Sequence, residues 1–175
     1  FISQTLVSEG VDTSWLKVDP NRMTALAILA LEDRDTFPLL FVRTDCADAG
    51  LTEDDVDESY IASSKALVVT GTHFSRPNLD AASRKAMTLA RKHDVTVVLD
   101  IDYRPSLWNL LGPGAGAHRF VNDDKVTALL QSILPACDVV VGTEEEVHIA
   151  AGTTDTLAAL RRIREVTSAL IVLKS

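Results

Sequence analysis

Apolar residues fall in two textures along this chain, with the change at residue 66. Before it they come as short separate runs. Residues 24–31 (TALAILAL) and 37–43 (FPLLFVR) flank the polar Glu32-Asp33-Arg34-Asp35, and each is too short for a typical helix, so the pair predicts a β-hairpin. Residues 2–9 predict the tail of a helix closed by Gly10. From residue 66 onward, β-branched runs alternate with helical spacing. Residues 66–70 (ALVVT), 95–99 (VTVVL), 138–141 (DVVV) and 169–173 predict strands. Between them, 78–92 (apolar at Leu79, Ala82, Ala86, Leu89 and Ala90), 123–134, 143–150 and 156–166 predict helices.

Near-continuous apolar strands separated by helices predict an α/β fold: a parallel central sheet with helices on both faces. The hairpin is then a small β lid over the carboxyl edge of the sheet. The expected organisation is residues 1–65 as the end of a helix plus the lid region, and 66–175 as the parallel core. Because the chain opens at Phe1 without Met and stops just as a strand is completed, both parts are expected to belong to one larger domain that is incomplete at both ends.

Composition narrows the function. The 46% apolar and 24% charged fractions are those of an ordinary soluble domain. No run approaches the roughly 18 apolar residues of a membrane span. A net charge of −8 argues against a general nucleic-acid binder, although an acidic protein can still bind anions at a locally positive site. Cys46 and Cys137 fit no metal-ligand spacing and read as reduced thiols; His73, His93, His118 and His148 form no zinc-type pair. The Gly-rich segment 112–116 lacks the Lys-Ser/Thr of a phosphate-binding loop and reads as a connector.

Open parallel sheets bind ligands at the carboxyl ends of their strands, so the residues after each run carry the candidate chemistry. After the first come Thr70, Gly71, Thr72 and His73. After the second, Asp100 and Asp102 alternate with apolar residues and should share a side, and Arg104 follows on that side with a planar fork suited to a carboxylate or phosphate. Arg104 has two readings: a ligand contact, or an ion pair with Asp100 or Asp102 that ties down the loop. After the third come Thr143, Glu144, Glu145 and Glu146. Thr143 and Glu146 have capping-box spacing, while a glutamate here can also order water around Mg²⁺ beside a nucleotide. Lys174 and Ser175 follow the fourth. Arg43 ends the second hairpin run, where a surface arginine is the default expectation.

The segment Asp100-x-Asp102-x-Arg104-Pro-x-Leu-Trp108 resembles the Asp-x-Asn-x-Arg-x-x-Leu-Trp segment of keto-deoxygluconate-type kinases in the ribokinase-like (PfkB) carbohydrate kinase family. Thr143-Glu-Glu-Glu146 stands where that family has Asn-x-x-Glu. The step Gly10-Val-Asp-Thr13 resembles one that precedes the lid in this family, and the hairpin 24–43, Arg43-Thr-Asp-Cys-Ala-Asp48 and Val69-Thr-Gly-Thr-His73 resemble its sugar-acid branch, which serves myo-inositol breakdown. The resemblance implies a ribokinase-like three-layer sandwich and a cytoplasmic enzyme that transfers phosphate from ATP to a sugar's primary hydroxyl, with 5-dehydro-2-deoxygluconate as the expected substrate. It implies Arg43, His73, Asp102 and Arg104 on the sugar acid, Thr143, Glu146, Lys174 and Ser175 on ATP, Glu146 organising Mg²⁺, and a homodimer formed through the lid. No nucleic-acid or membrane partner is implied. Thr143 and Asp102 replace asparagines of the family pattern, and the family's Gly-Gly and Gly-Ala-Gly-Asp segments are absent. No catalytic base is therefore assigned, and these 175 residues alone are not expected to be a competent kinase. Other readings are a non-catalytic sugar- or nucleotide-binding protein on the same core, or a kinase of 2-keto-3-deoxygluconate, fructose or ribose.

Overall fold

The structure, a computed structural model, describes residues 1–29, 39–111 and 120–174. The polar turn at 32–35, the Gly-rich segment 112–116, His118 and Ser175 lie outside the described residues. Helix α1 (Ile2–Ser8) ends as expected, with Gly10 at φ +76°. Strands β1 (Leu26–Leu29) and β2 (Leu39–Val42) pair antiparallel, Leu26 opposite Val42, which is the expected hairpin. Short 3-10 turns follow at Ala47–Gly50 and Glu53–Asp55. A helix that the periodicity does not predict, α2 (Glu58–Ser63), is capped by Asp57, which accepts from the amide of Tyr60 at 2.8 Å.

The remainder alternates as predicted. It runs β3 (Ala66–Thr70), α3 (Pro77–Lys92), β4 (Thr96–Asp100), α4 (Asp124–Ile133), β5 (Val139–Thr143), α5 (Glu144–Ala151), α6 (Thr156–Val166) and β6 (Leu170–Lys174). The four strands form one parallel sheet in the order β3-β4-β5-β6, in register through Val68, Val98, Val139 and Leu170. Strand order equal to chain order, with right-handed crossovers, puts every connecting helix on one face. Burial alternates to match. Val69, Val97, Leu99 and Val140 are buried with Leu130, Ile133, Val147, Ile149 and Ile163 in one cluster. The opposite face carries Val68, Val98, Val139, Val141, Leu170 and Val172, all exposed or half-buried. Among the described residues, the connecting helices α3, α4, α5 and α6 pack on the first of these faces.

Both cysteines are free and buried, and burial pushes the Cys137 thiol up to about 12, as expected for inert reduced thiols. Among the described residues no helix is long and apolar enough to cross a membrane.

Gly71 sits where β3 passes against the chain leaving β4. A Cβ built there would lie 2.0 Å from the carbonyl oxygen of Ile101, a backbone atom that cannot rotate away. At Gly10 a Cβ meets nothing within 4 Å, and only the positive φ opposes it. Urea unfolding of Gly71→Ala is therefore expected to show a loss of about 3 kcal/mol or more, against about 1 kcal/mol for Gly10→Ala. Equal losses would mean that the β3–β4 exit is looser than described.

Candidate functional site

The carboxyl ends of β4, β5 and β6 converge on a cleft of about 140 Å³ lined by Asp100, Asp102, Tyr103, Arg104, Thr143, Glu145, Glu146 and Lys174. Its geometry follows from how the chain leaves β4. The amide of Ile101 donates to the carbonyl of Val141 at 2.8 Å, and its side chain is buried against Gly142, where a Cβ would come within 2.8 Å of Ile101 Cδ1. Asp102 adopts φ +33°, in the left-handed region tolerated by aspartate. Tyr103 is buried, its hydroxyl donating to the carbonyl of Val121 at 2.6 Å. Ile101 and Tyr103 therefore point inward, and Asp100, Asp102 and Arg104 stand on the rim, although the strand itself ends at Asp100.

Across the cleft, Thr143 and Glu146 form the predicted capping box at the start of α5. The Thr143 hydroxyl accepts from the amide of Glu146 at 3.4 Å, and Glu146 Oε2 accepts from the amide of Thr143 at 2.8 Å. The second carboxylate oxygen faces the β4 exit: Glu146 Oε1 accepts from the amide of Tyr103 at 3.2 Å and from Arg104 Nη1 at 3.4 Å. Glu146 is only 6% exposed, so these donors compensate a charge taken out of water.

The ion-pair reading of Arg104 is realised. Arg104 Nη2 lies 2.9 Å from Asp102 Oδ1, and Nη1 also donates to its neighbour's carbonyl, that of Tyr103, at 2.9 Å. Asp100 pairs instead with Lys174, Nζ at 3.1 Å, spanning β5. Thus Asp102, Arg104, Thr143, Glu146 and Lys174 come together at one cleft, while Ser175 lies outside the described residues.

Arg43 and His73 stand at the β3 end of the same edge. Arg43 pairs with Asp48, a half-buried residue whose Oδ1 has no donor among the described residues. Arg76 Nη2 donates to the carbonyls of Arg43 at 3.1 Å and Thr44 at 2.8 Å, fixing the exit of β2 beside the turn after β3. His73 is half-buried there; its imidazole is held below the ordinary 6.5, first by burial and then by the Arg43 charge, with Asp48 and Asp102 opposing.

Sequence reasoning assigned no role to Asp48, Thr72 or Tyr103. Thr72 is buried, its hydroxyl 3.0 Å from that of Thr70 and 3.5 Å from Asp102 Oδ2. The only linear signal for Tyr103 is its alternation with Asp102 and Arg104.

Among the described residues no group of three or more His, Cys, Asp or Glu side chains is placed to hold a metal. Glu146 already accepts three hydrogen bonds. Two of them fall on Oε1 and one on Oε2, so the acceptor capacity left on this carboxylate is at Oε2, enough for a water of a hydrated ion such as Mg²⁺ and not for a protein cage.

The pKa of His73 has a measurable consequence. Below about pH 6.5 the unfolded chain takes up a proton that folded His73 resists, so folding stability falls with pH in that window and recovers above it. We expect His73→Gln to flatten part of the slope in urea midpoints between about pH 5 and 7.5. An unchanged slope would show that His73 is solvated in the folded protein.

The model described as "pfkB family carbohydrate kinase" matches residues 1–174. A 5-dehydro-2-deoxygluconokinase of Halalkalibacterium halodurans is 33% identical over 156 residues, covering 89% of this chain and 44% of that protein. The chain thus spans less than half the length of this curated relative. A PfkB protein from Polaromonas sp. superposes with a TM-score of 0.81 at 23% identity, over 99% of this chain and 55% of its own. A fructokinase from Vibrio cholerae, with fructose, ADP and calcium bound, gives 0.78 at 22% identity, over 100% of this chain and 52% of its own. The two structural likenesses establish the ribokinase-like α/β fold.

Proposed function

Since the chain belongs to the pfkB family of carbohydrate kinases, we propose that the intact protein transfers the γ-phosphoryl group of ATP to the primary hydroxyl of a keto-deoxy sugar acid, 5-dehydro-2-deoxygluconate. The observation that carries this reading is the cleft at the ends of β4, β5 and β6. It puts a guanidinium, Arg104, fixed by Asp102 and Glu146, within the same 140 Å³ as the Thr143 cap and the ammonium of Lys174. The sugar-acid specificity is supported by the 5-dehydro-2-deoxygluconokinase likeness. The nucleotide is supported by the ADP of the Vibrio fructokinase.

In this reading the γ-phosphorus–oxygen bond to ADP breaks as the bond to the sugar oxygen forms, and positioning with charge neutralisation does most of the work. Arg104 and Arg43 face the sugar acid, each already aligned by a carboxylate partner. Asp102 accepts a sugar hydroxyl. His73, uncharged at neutral pH, can accept or donate without adding charge. Thr143, Lys174 and Ser175 meet the nucleotide. Mg²⁺, when bound, would be held through its waters by Glu146 Oε2, which accepts a single hydrogen bond, and would neutralise phosphate charge. No residue among these 175 is assigned as the base for the sugar hydroxyl. The exposed Leu26, Ile28, Leu40 and Val42 on the two-stranded sheet support a homodimer through the lid.

The test is coupled ADP release by the intact protein with ATP, Mg²⁺ and a panel of 5-dehydro-2-deoxygluconate, 2-keto-3-deoxygluconate, fructose and ribose. Highest kcat/KM is expected for 5-dehydro-2-deoxygluconate, with Arg104→Ala lowering it by about 10–100-fold, the worth of hydrogen bonds to a charged group. Preference for fructose or ribose would reassign the sugar. ADP release with none of the four would leave a non-catalytic binding protein.

A further inference from the structure

Glu146 accepts from both halves of the cleft. Through Oε2 it closes the capping box with the amide of Thr143, at the β5–α5 junction. Through Oε1 it takes the amide of Tyr103 and Nη1 of Arg104, both on the segment that follows β4. In the reading above, the first junction meets the nucleotide and the second meets the sugar. A capping box alone would leave Oε1 to solvent or to a hydrated cation. Here that oxygen is turned inward, in a side chain 8% exposed.

The segment it reaches has little other freedom. Ile101 is wedged between Gly71 and Gly142, and Tyr103 is anchored by its ring and hydroxyl. What remains adjustable is the Tyr103 amide plane and the reach of Arg104, and those are the two groups that Glu146 holds. A carboxylate has a fixed distance between its oxygens. Displacement of the Thr143 amide by a bound nucleotide therefore moves the acceptor of Tyr103 and Arg104, and the reverse holds for a bound sugar.

We propose that Glu146 is a positioning residue that couples the two halves of the site: it holds Arg104 and the Tyr103 amide for the sugar acid in a geometry set by the nucleotide-side cap. The proposal rests on the functional reading above. It adds that the two ligands communicate through this one carboxylate, and that binding coupling is reciprocal.

Residue-resolved amide hydrogen exchange on the intact wild-type protein tests it without a variant that could misfold. Adenylyl imidodiphosphate with Mg²⁺ is expected to slow exchange at Tyr103, and 5-dehydro-2-deoxygluconate alone to slow it at Thr143, each by threefold or more, about the factor that 0.7 kcal/mol represents. Glu146→Gln keeps the side-chain size but turns a donor toward one of the amides or Arg104. It is expected to abolish both cross-effects and to raise the sugar KM by about tenfold, the loss of one hydrogen bond to a charged group. Binding of both ligands with no cross-protection overturns the coupling and leaves the kinase reading standing. A Glu146→Gln effect confined to kcat and the nucleotide KM also overturns it, because Glu146 would then act on the phosphate side alone. Failure of either ligand to bind the wild-type protein removes the functional reading and the coupling with it.

Discussion

A carboxylate buried between two strand exits governs this edge of the molecule. Removing a charge from water costs several kcal/mol, and the cost is met only where enough donors converge. Glu146 obtains them from the amides of Thr143 and Tyr103 and from Arg104. Two of these donors sit on a segment some forty residues earlier in the chain. The β4 exit and the start of α5 must therefore arrive together for either to be satisfied, and the parallel β4–β5 pairing brings them there.

The framework below makes that meeting tight. Gly71 and Gly142 let the backbone and side chain of Ile101 approach closer than any Cβ would permit, and the buried faces of β3, β4 and β5 hold those glycines in register. Inward-facing Ile101 and Tyr103 then leave Asp100, Asp102 and Arg104 no choice but the rim. Pairing orders the rim charges in turn: Arg104 with Asp102, Lys174 with Asp100, and Arg43 with Asp48. These pairs are partly solvated, so their value lies in preorganised direction more than in stability.

Much of this is legible in the sequence, for particular physical reasons. Runs such as ALVVT and VTVVL are long enough and β-branched enough to announce buried strands, and the structure moves their ends by only a residue. The alternation at 100, 102 and 104 predicts the shared rim correctly even though β4 stops at Asp100, because Tyr103 is drawn inward by its own burial. Helix α2 is invisible because six residues carry too little periodicity. The face that each helix takes depends on strand order, which single-sequence patterning does not encode. The Thr143–Glu146 spacing announces a cap, and nothing linear announces that the other oxygen of Glu146 reaches Tyr103 and Arg104. Those contacts, like Thr72 to Asp102, depend on the register between strands.

The account stands on the linkage between Glu146 and Arg104, and a double-mutant cycle on folding stability measures it most directly. Urea unfolding of the intact protein would compare wild type, Glu146→Gln, Arg104→Met and the double variant. A partly buried charge-assisted contact predicts a coupling energy of about 1 kcal/mol, the double variant losing less than the two single losses together. Additivity to within about 0.5 kcal/mol would contradict it, leaving the capping box intact and the bridge between the two strand exits without energetic content.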